Sequence, residues 1–405
     1  MNIIVQKYGG TSVADLEKIR AIAGRIAKRR EDGEGIAVVL SAMGDSTDQL
    51  VGMANEISKA PDPCAMDLLL ATGEQISIAL MAMTLKELGV PCETFMGFEA
   101  GFSTSGDHCK ARIRRVDPSA VKASIESGKV AIVAGFQGIS ESNEITTIGR
   151  GGSDTTAVAL AAALGAGRCE IYTDVDGVFT ADPSLCKDAK LLEKSSYEEM
   201  MELADAGAKV LHSRSVEIAA KYGVVLEVRS SSTGRPGTSL IPESEISEGS
   251  VISGISCNLD EAKVSIRKVP DKVGVTAAIF KPIARAGIDV DLIIQTVSEE
   301  GFTELSFTVP KEDLRRAMTL AEVVAREVDA GKVTASGDIA KISIVGLGMR
   351  SHAGVAHRMF DALAREGISI QMIGTSEIKV SVVIDMRRAE DAVKILHREF
   401  GLADR

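Results

Sequence analysis

The sequence predicts an α/β protein with a mostly parallel central sheet flanked by helices, followed by two smaller domains. Three observations carry this prediction. Up to about residue 230, strands of β-branched residues alternate with helical patterns. A polar stretch rich in glycine, serine and proline then interrupts the pattern between residues 229 and 262. Beyond it, a strand, helix, strand, strand, helix order occurs twice, and the glycine at 274 recurs at 354, 80 residues later.

Length and composition bound the possible functions. The chain has 405 residues, enough for two or three domains. Its formal net charge of −11 argues against a nucleic acid or an anionic membrane as the main partner and favours small-molecule chemistry. Six cysteines without a CxxC pair indicate neither a zinc site nor a disulfide framework. We find no signal-type N-terminus and no apolar run of membrane-span length, so we expect a cytoplasmic protein.

The chain opens with a strand, a lysine and a glycine turn. Asn2–Val5 is β-rich, Lys7 follows, Gly9-Gly10 forms the turn, and Val13–Arg30 has helical periodicity with Leu16 on its apolar face. Such a turn can present backbone N–H groups to an anion, and a lysine adds a mobile positive charge. A purely steric turn explains the glycines alone equally well. The G-x-x-x-x-G-K-[ST] spacing of a P-loop is absent.

The next elements place polar side chains after buried strands. Strand Ile36–Leu40 ends in a polar loop, residues 41–48, which either binds a ligand at the sheet edge or caps the next helix. The helical pattern Asp67–Leu88 contains Glu74, which must face water or find a partner such as an ammonium group. Further predicted elements are strands at Pro91–Phe95 and Val130–Ala134 and a hairpin at Gly135–Gly149.

A second glycine motif, Gly149 to Asp154, precedes a helix of small residues. Glycine N–H groups, the Arg150 guanidinium and a helix N-terminus again favour an anion, and two such cradles in one domain are hard to explain by turn chemistry alone. The acidic run Cys169–Pro183 is not an EF-hand, because its glycine is misplaced and the final Glu is missing. A helix is predicted over Met200–Ala220, where Lys209 could equally be an ordinary snorkelling lysine.

Together these motifs closely resemble, in order and over about 210 residues, those of the aspartokinases of the amino acid kinase fold family. The matching segments are Lys7-Tyr8-Gly9-Gly10-Thr11-Ser12, Ser41-Ala42-Met43-Gly44 with Thr47, Thr72-Gly73-Glu74, Gly149-Arg150-Gly151-Gly152-Ser153-Asp154-Thr155-Thr156, Thr173-Asp174-Val175-Asp176-Gly177-Val178-Phe179-Thr180-Ala181-Asp182-Pro183, and Ala208-Lys209-Val210-Leu211-His212.

The resemblance implies ATP-dependent phosphorylation, with Mg²⁺, of the side-chain carboxylate of L-aspartate to 4-phospho-L-aspartate. This is the first step of the lysine, threonine and methionine biosynthetic pathway. It implies that Lys7, Asp154 and Lys209 are catalytic, that Gly9 and Gly10 donate N–H bonds to the phosphoryl group, and that no protein metal ligand is required. The implied ATP-binding residues are Lys7, Tyr8, Gly9, Gly10, Ser41, Thr173, Asp174, Phe179, Thr180, Asp182 and Lys209, and the implied aspartate-binding residues are Thr47, Glu74, Arg150, Gly151, Gly152, Ser153 and Asp154.

Each C-terminal repeat resembles the ACT domain, a ferredoxin-like βαββαβ unit. Predicted domain limits are 1–245, 246–336 and 337–405. The resemblance implies feedback regulation by lysine, threonine or both, and a homodimer or a heterotetramer with an ACT-only regulatory subunit. A dimerisation module without a ligand is the alternative. The implied effector residues are Asp271, Asp289, Gln295, Ser369, Ile370 and Ser376.

Three other functions stay open on the sequence. A glutamate 5-kinase would share the anion cradles but would not be expected to carry the tandem repeat. A nucleotide-phosphorylating relative would act on UMP. A non-enzymatic amino-acid sensor would need a damaged Lys7 or Asp154, and both residues are intact.

Overall fold

The computed structural model describes residues 2–208, 210–233, 235–246, 251–297 and 301–404. The chain forms two compact units, one of residues 1–179, 191–205 and 209–248 and one of residues 180–190, 206–208 and 249–405. The predicted parallel α/β fold followed by two ferredoxin-like domains is confirmed. The predicted domain limits differ from the two units at residues 180–190 and 206–208, which pack with the second unit.

The first unit contains twelve strands and seven helices within the described residues. The strands are β1 (Ile3–Tyr8), β2 (Gly35–Leu40), β3 (Cys92–Phe95), β4 (Phe102–Thr104), β5 (Ile113–Val116), β6 (Val130–Ala134), β7 (Gln137–Ile139), β8 (Ile145–Thr147), β9 (Arg168–Thr173), β10 (Lys194–Ser196), β11 (Leu226–Ser230) and β12 (Pro236–Ile241). The helices are α1 (Leu16–Glu31), α2 (Ser46–Ile57), α3 (Pro63–Glu87), α4 (Ser119–Glu126), α5 (Gly152–Leu164), α6 (Tyr197–Asp205) and α7 (Ser213–Tyr222).

The main sheet has eight strands in the order β10-β12-β11-β9-β1-β2-β6-β3. All neighbours pair in parallel except β11 with β12. The central strand β2 is buried along its whole length, which explains why its sequence is a continuous apolar run rather than an alternating one. Strands β5-β4-β7-β8 form a separate small sheet, in which the predicted hairpin supplies β7 and β8.

The two faces of β1 have different surroundings. Side chains alternate along a strand, so Gln6 and Tyr8 lie on the face opposite to Lys7. The Tyr8 ring is buried, stacks on Tyr172 with ring centroids 4.5 Å apart, and its hydroxyl lies 3.3 Å from the Gln6 side-chain oxygen. The side chain of Tyr8 therefore lies in the core, so any contact of this residue with ATP would be made by its backbone.

A buried carboxylate, Glu170 on β9, organises the same face. It accepts hydrogen bonds from Arg29 at 2.7 Å, from Arg168 at 2.9 Å and from Gln6 at 2.9 Å, while Arg229 lies 3.5 Å away. Burial alone would raise the pKa of Glu170, but the hydrogen bonds from the arginines outweigh it, and the pKa lies below its usual value. Glu170 therefore stays ionised in the core because three arginines surround it.

Helix α3 is continuous through Gly73 and Glu74, both of which are buried. By length and composition, it alone among the helices of the described residues could cross a membrane, so the expectation that no apolar run has this length needs correction. Half of its most apolar stretch is buried within the protein, and the helix packs against α1, α2 and the sheet. This packing is that of a core helix.

Two predicted helices have different limits in the structure. The first begins at Leu16 rather than Val13, because Asp15 caps it by accepting a bond from the Lys18 N–H; Leu16 is exposed. The pattern over Met200–Ala220 is two helices, α6 and α7. Gly207 lies between them at a φ of +112°, a conformation that ends a helix.

The second unit contains the two repeated domains. Its strands are β13 (Gly254–Asn258), β14 (Glu261–Pro270), β15 (Ile293–Val297), β16 (Phe302–Pro310), β17 (Val333–Ser336), β18 (Ile339–Val345), β19 (Met372–Thr375) and β20 (Lys379–Asp385). Its helices are α8 (Val275–Arg285), α9 (Leu314–Glu327), α10 (Val355–Arg365) and α11 (Ala389–Glu399).

The repeat is visible in the backbone, because Gly274 and Gly354 precede α8 and α10 at φ values of +92° and +90°. The second strand of each copy is β15 in the first domain and β19 in the second. The four strands of the first domain come from one continuous stretch of the chain, and its sheet has the order β15-β16-β14-β17. The second takes its edge strand β13 from the stretch before the first domain, inside the region predicted as a boundary.

Residues 180–190 belong to the core of the second unit. Ala181 and Cys186 are buried there with Ile342 and Leu396. The Thr180 hydroxyl is buried, lies 2.9 Å from His397 Nε2 and accepts a bond from the Lys190 N–H. The second unit is thus built from two separate parts of the sequence.

We predict that Glu170→Gln lowers the free energy of unfolding by about 3 to 5 kcal/mol, because it removes the fully buried charge that three partly buried arginines share. Urea unfolding of the full chain measures this loss. The matched control is Glu141→Gln, which removes one partner of the exposed Arg114–Glu141 pair and should cost less than about 1 kcal/mol. Equal losses in the two variants would contradict the structural role of Glu170.

Candidate active site

The carboxyl ends of β1, β2, β6 and β9 meet at one edge of the main sheet, and the candidate site is built there. Lys7, near the end of β1, forms an ion pair with Asp154 in the first turn of α5, with 2.5 Å between Lys7 Nζ and Asp154 Oδ1. Both side chains are about one-tenth exposed. Asp154 thus holds the lysine ammonium group at the mouth of the turn that follows β1.

The Gly9-Gly10 turn leaves no room for a side chain at Gly10 and places Gly9 beside the Lys7 ammonium group. A Cβ on Gly10 would lie 2.8 Å from the Ala42 carbonyl oxygen, and one on Gly9 would lie 3.4 Å from Lys7 Nζ. The Gly9 N–H is predicted to donate to a phosphoryl group, but in this structure it donates to the Tyr172 carbonyl at 3.3 Å. The short helical turn that begins at Gly10 leaves its first N–H groups without partners inside the turn.

The loop after β2 joins this turn to a buried carboxylate. Gly44 N–H donates to the Gly10 carbonyl at 3.0 Å, and Ala42 N–H donates to Glu74 Oε1 at 3.0 Å. Ser41 N–H donates to the Tyr8 carbonyl. The loop therefore touches the glycine turn on one side and Glu74 on the other.

Glu74 carries an unsatisfied buried oxygen. The residue is 3% exposed, and its Oε2 atom has no hydrogen-bond partner among the described residues. Burial raises the pKa of Glu74 to about 8, although the hydrogen bond from Ala42 acts in the opposite direction. A buried carboxylate with a free oxygen is suited to accept hydrogen bonds from a small cationic group.

The second glycine turn shapes the start of α5. Gly149 and Gly151 have φ values of +83° and +68°, and a Cβ on Gly151 would lie 2.4 Å from that of His212. Ser153 is buried against Gly135 at the end of β6, and Arg150 is exposed on the turn. The first N–H groups of α5 and its dipole thus point toward the same edge as Lys7.

The residues predicted to bind ATP are only partly brought together. Thr173 is the last residue of β9 and follows Tyr172, whose carbonyl accepts a hydrogen bond from the Gly9 N–H. The Thr173 hydroxyl donates to Asp174 at 3.1 Å. Phe179 is half-buried in the first unit. Lys209 lies outside the described residues.

Two further predicted ATP ligands, Thr180 and Asp182, lie in the segment that packs with the second unit. Thr180 has no exposed surface, and its hydroxyl lies 2.9 Å from His397 Nε2 and accepts a bond from the Lys190 N–H, so any contact of this residue with a nucleotide stays a prediction. Asp182 is exposed and accepts a hydrogen bond from the Ser184 N–H. Both residues were predicted from the resemblance of Thr173–Pro183 to an aspartokinase motif, and the chain passes from the first unit to the second after Phe179.

Thr47, predicted to bind the substrate, lies half-buried in the first turn of α2, directly after the loop that contacts Glu74.

The predicted effector residues lie on loops and edges of the second unit. Gln295 on β15 accepts a hydrogen bond from Thr276 in the first turn of α8, which follows the loop of Asp271. The remaining effector residues lie on exposed or half-buried turns elsewhere in the two domains: Asp289, Ser369, Ile370 and Ser376.

Two supporting residues were missed by the sequence analysis. Arg214 donates to the carbonyls of Ile148 and Ala111 and so fixes the chain that enters the second glycine turn. Asp67, fully buried in α3, accepts from the Cys109 N–H and pairs with His108. An acidic residue in the first turns of an apolar helix was the only signal for Asp67, and no sequence signal indicated Arg214.

The chain matches known proteins along its whole length. The amino acid kinase family matches residues 2–230, and the ACT domain matches residues 264–326 and 342–400. The aspartate kinase of Pseudomonas putida is 50% identical over 403 residues, which cover 99% of this chain and 98% of that protein. The aspartate kinase structure from Synechocystis is 43% identical, with a TM-score of 0.56, and the match covers 98% of this chain and 69% of that one.

The structure of Escherichia coli aspartokinase III in complex with aspartate and ADP is 25% identical, with a TM-score of 0.80, and the match covers 98% of this chain and 100% of that one. The same enzyme in complex with lysine and aspartate matches with a TM-score of 0.76 at 25% identity, over 98% of this chain and 99% of that one.

We predict a distinct pH dependence of stability from Glu74. Because the folded-state pKa is raised to about 8, the folded protein binds the proton more tightly than the unfolded chain, and the stabilisation is lost as pH rises from about 5 to 8. Relative to Glu74→Gln, the ligand-free wild type should lose about 1 kcal/mol of unfolding free energy per pH unit in this range.

Urea unfolding at several pH values measures this difference. The control is Glu87→Gln, which changes an exposed glutamate of the same helix and should leave the wild-type profile unchanged. Parallel wild-type and Glu74→Gln profiles would rule out a buried, proton-binding Glu74.

Proposed function

Because this chain belongs to the aspartate kinases of the amino acid kinase family, we propose that it transfers the γ-phosphoryl group of ATP to the side-chain carboxylate of L-aspartate, releasing ADP and 4-phospho-L-aspartate. The whole-length similarity to aspartate kinases supports the activity. The observation that carries the choice of substrate is the buried Glu74, whose free oxygen lies beside the loop that contacts the Lys7 turn.

Phosphoryl transfer needs positioning and charge neutralisation, because negative charge spreads over the transferring group. Lys7 supplies a positive charge at the end of β1, and Asp154 keeps its ammonium group in place through the 2.5 Å ion pair. Gly10 lets the backbone approach the phosphate where a side chain would collide with Ala42. The aspartate carboxylate is already ionised near neutral pH, so no general base is required.

The acceptor amino acid is recognised at three points in this proposal. Glu74 accepts hydrogen bonds from the ammonium group of the amino acid, which gives Oε2 the hydrogen-bond partner that it lacks. Arg150, on the turn before α5, binds its α-carboxylate with a fork of N–H donors. Thr47 completes the pocket from the first turn of α2. Gly151, Gly152 and Ser153 contribute backbone from the start of α5.

In this proposal ATP binds at the edge of the sheet between the two glycine turns, where Lys7 supplies a positive charge. The proposed nucleotide-binding residues are Lys7, Tyr8, Gly9, Gly10, Ser41, Thr173, Asp174, Phe179, Thr180, Asp182 and Lys209. Mg²⁺ neutralises phosphate charge when bound with ATP, held largely through the phosphates.

We further propose that lysine, threonine or both inhibit the enzyme through the ACT domains and that the reaction begins lysine, threonine and methionine biosynthesis in the cytoplasm. The complex of E. coli aspartokinase III with lysine supports an amino-acid effector. The tandem repeat supports amino-acid binding by the second unit. We propose that the assembly is a homodimer or a heterotetramer with a regulatory ACT-only chain. The proposed domain limits are 1–245 for the kinase domain, 246–336 for the first ACT domain and 337–405 for the second.

The rate of ADP release with ATP and Mg²⁺ tests the catalytic proposal. We expect turnover with L-aspartate but not with L-glutamate or UMP. Lys7→Ala should lower kcat by about 100-fold or more, because it removes a charge that faces the transferring group, and the fold should persist. The matched control is Lys28→Ala, which changes an exposed lysine of α1. Wild-type-like turnover of Lys7→Ala would remove the central assignment, and turnover only with glutamate or UMP would replace the substrate.

The same assay with lysine, threonine or both tests the regulatory proposal. We expect turnover to fall with one amino acid or with the pair, and Gln295→Ala to reduce this inhibition, because Gln295 and Thr276 face each other at the start of α8. The ratio of rates with and without effector is the readout. Turnover that no amino acid changes would leave the kinase and make the repeated domains a structural module.

A further inference from the structure

A group of metal-binding side chains lies in the first unit, on the small-sheet side of α3. Cys64 is the second residue of α3, His108 lies in the loop between β4 and β5, and Glu144 precedes β8. One ligand atom of each lies within 4.8 Å of the other two. No other group of this kind is found in the part of the chain that the structure describes.

The imidazole of His108 is held from behind by a buried carboxylate. Asp67 Oδ2 lies 2.7 Å from His108 Nδ1, and Asp67 also accepts from the Cys109 N–H and the Thr147 hydroxyl. Asp67 has no exposed surface. With Nδ1–H donating to Asp67, the lone pair of His108 lies on Nε2, which is 3.6 Å from Glu144 Oε2. A carboxylate that orients a histidine in this way is the usual support of a metal ligand.

We propose that Cys64, His108 and Glu144 bind a divalent cation of the zinc class, with Asp67 as the positioning residue for His108. A thiolate, an imidazole and a carboxylate together favour zinc over magnesium or calcium, which prefer oxygen ligands only. Three protein ligands leave the fourth tetrahedral position to water. This site is separate from the phosphoryl-transfer site and does not depend on the proposed function.

The geometry needs only a small adjustment. Ligand atoms on a tetrahedral zinc ion lie about 3.5 Å apart, since Zn–N and Zn–S bonds are about 2.1 and 2.3 Å long. Asp67 holds His108, so the adjustment falls on the side chains of Cys64 and Glu144. The Glu144 side chain is 47% exposed and can change rotamer freely.

The cation would join three segments that are separate in sequence: the start of α3, the loop of His108 and the turn before β8. Asp67 and Glu74 are both buried in α3 and are seven residues apart, which is two helical turns or about 10 Å. Bound metal would therefore stabilise the beginning of helix α3, whose middle carries Glu74, the carboxylate proposed to bind the substrate's ammonium group. The wide separation of the ligands in sequence explains why cysteine spacing did not indicate the site.

Titration of the full-length, chelator-treated protein with Co²⁺ tests this site, with excess Mg²⁺ and without nucleotide. We expect one Co²⁺ per chain, with visible bands of a tetrahedral complex and a thiolate-to-cobalt charge-transfer band, and displacement by Zn²⁺. Cys64→Ser should remove the charge-transfer band. Asp67→Asn should keep the band but weaken affinity about 10- to 100-fold, as loss of a supporting carboxylate does.

Cys92→Ser is the matched control, because Cys92 is another partly buried cysteine of the first unit outside the group. It should keep both the band and the affinity. Zn²⁺ should raise the thermal unfolding midpoint of the wild type and of Cys92→Ser, but not that of a folded Cys64→Ser or Glu144→Gln variant. Absence of stoichiometric Co²⁺ binding, or an unchanged spectrum in Cys64→Ser, would overturn the site.

Discussion

The ion pair between Lys7 and Asp154 is the interaction around which the first unit is arranged. It joins the central strand β1 to the first turn of α5, and the two glycine turns lie on either side of it. A lysine at this depth needs a partner, because burying an unpaired charge is costly. Asp154 provides that partner, and its place near the helix N-terminus is favourable for a carboxylate.

The buried carboxylates of this unit divide between stability and function according to how well they are compensated. Glu170 meets three arginines, stays ionised, and stabilises the face of the sheet opposite to Lys7. Glu74 has one backbone donor and one free oxygen, and burial raises its pKa. A buried carboxylate whose hydrogen bonds are satisfied stabilises the fold, whereas one with an unsatisfied oxygen indicates a missing ligand group.

Local signals in the sequence predicted the parts of the site that local structure determines. Lys7, Gly10 and Glu74 each follow from a strand end, a turn or a polar residue in an apolar helix, and the structure brings them to one edge. The burial of the Tyr8 ring in the core follows from the alternation of strand faces, which the motif alone does not take into account. Contacts that join distant segments could not be predicted, as with Arg214 and the carbonyl of Ile148.

The position of Thr180 shows why sequence order is a poor guide to the limits of a unit. Residues 180–190 stand between two strands of the first unit but are buried in the second, where Ala181 and Cys186 join the apolar core. A chain cut at residue 245 would keep this segment and lose its partners, exposing apolar side chains and leaving the Thr180 hydroxyl without His397. The catalytic half of the sequence therefore depends on the regulatory half to bury one of its own segments.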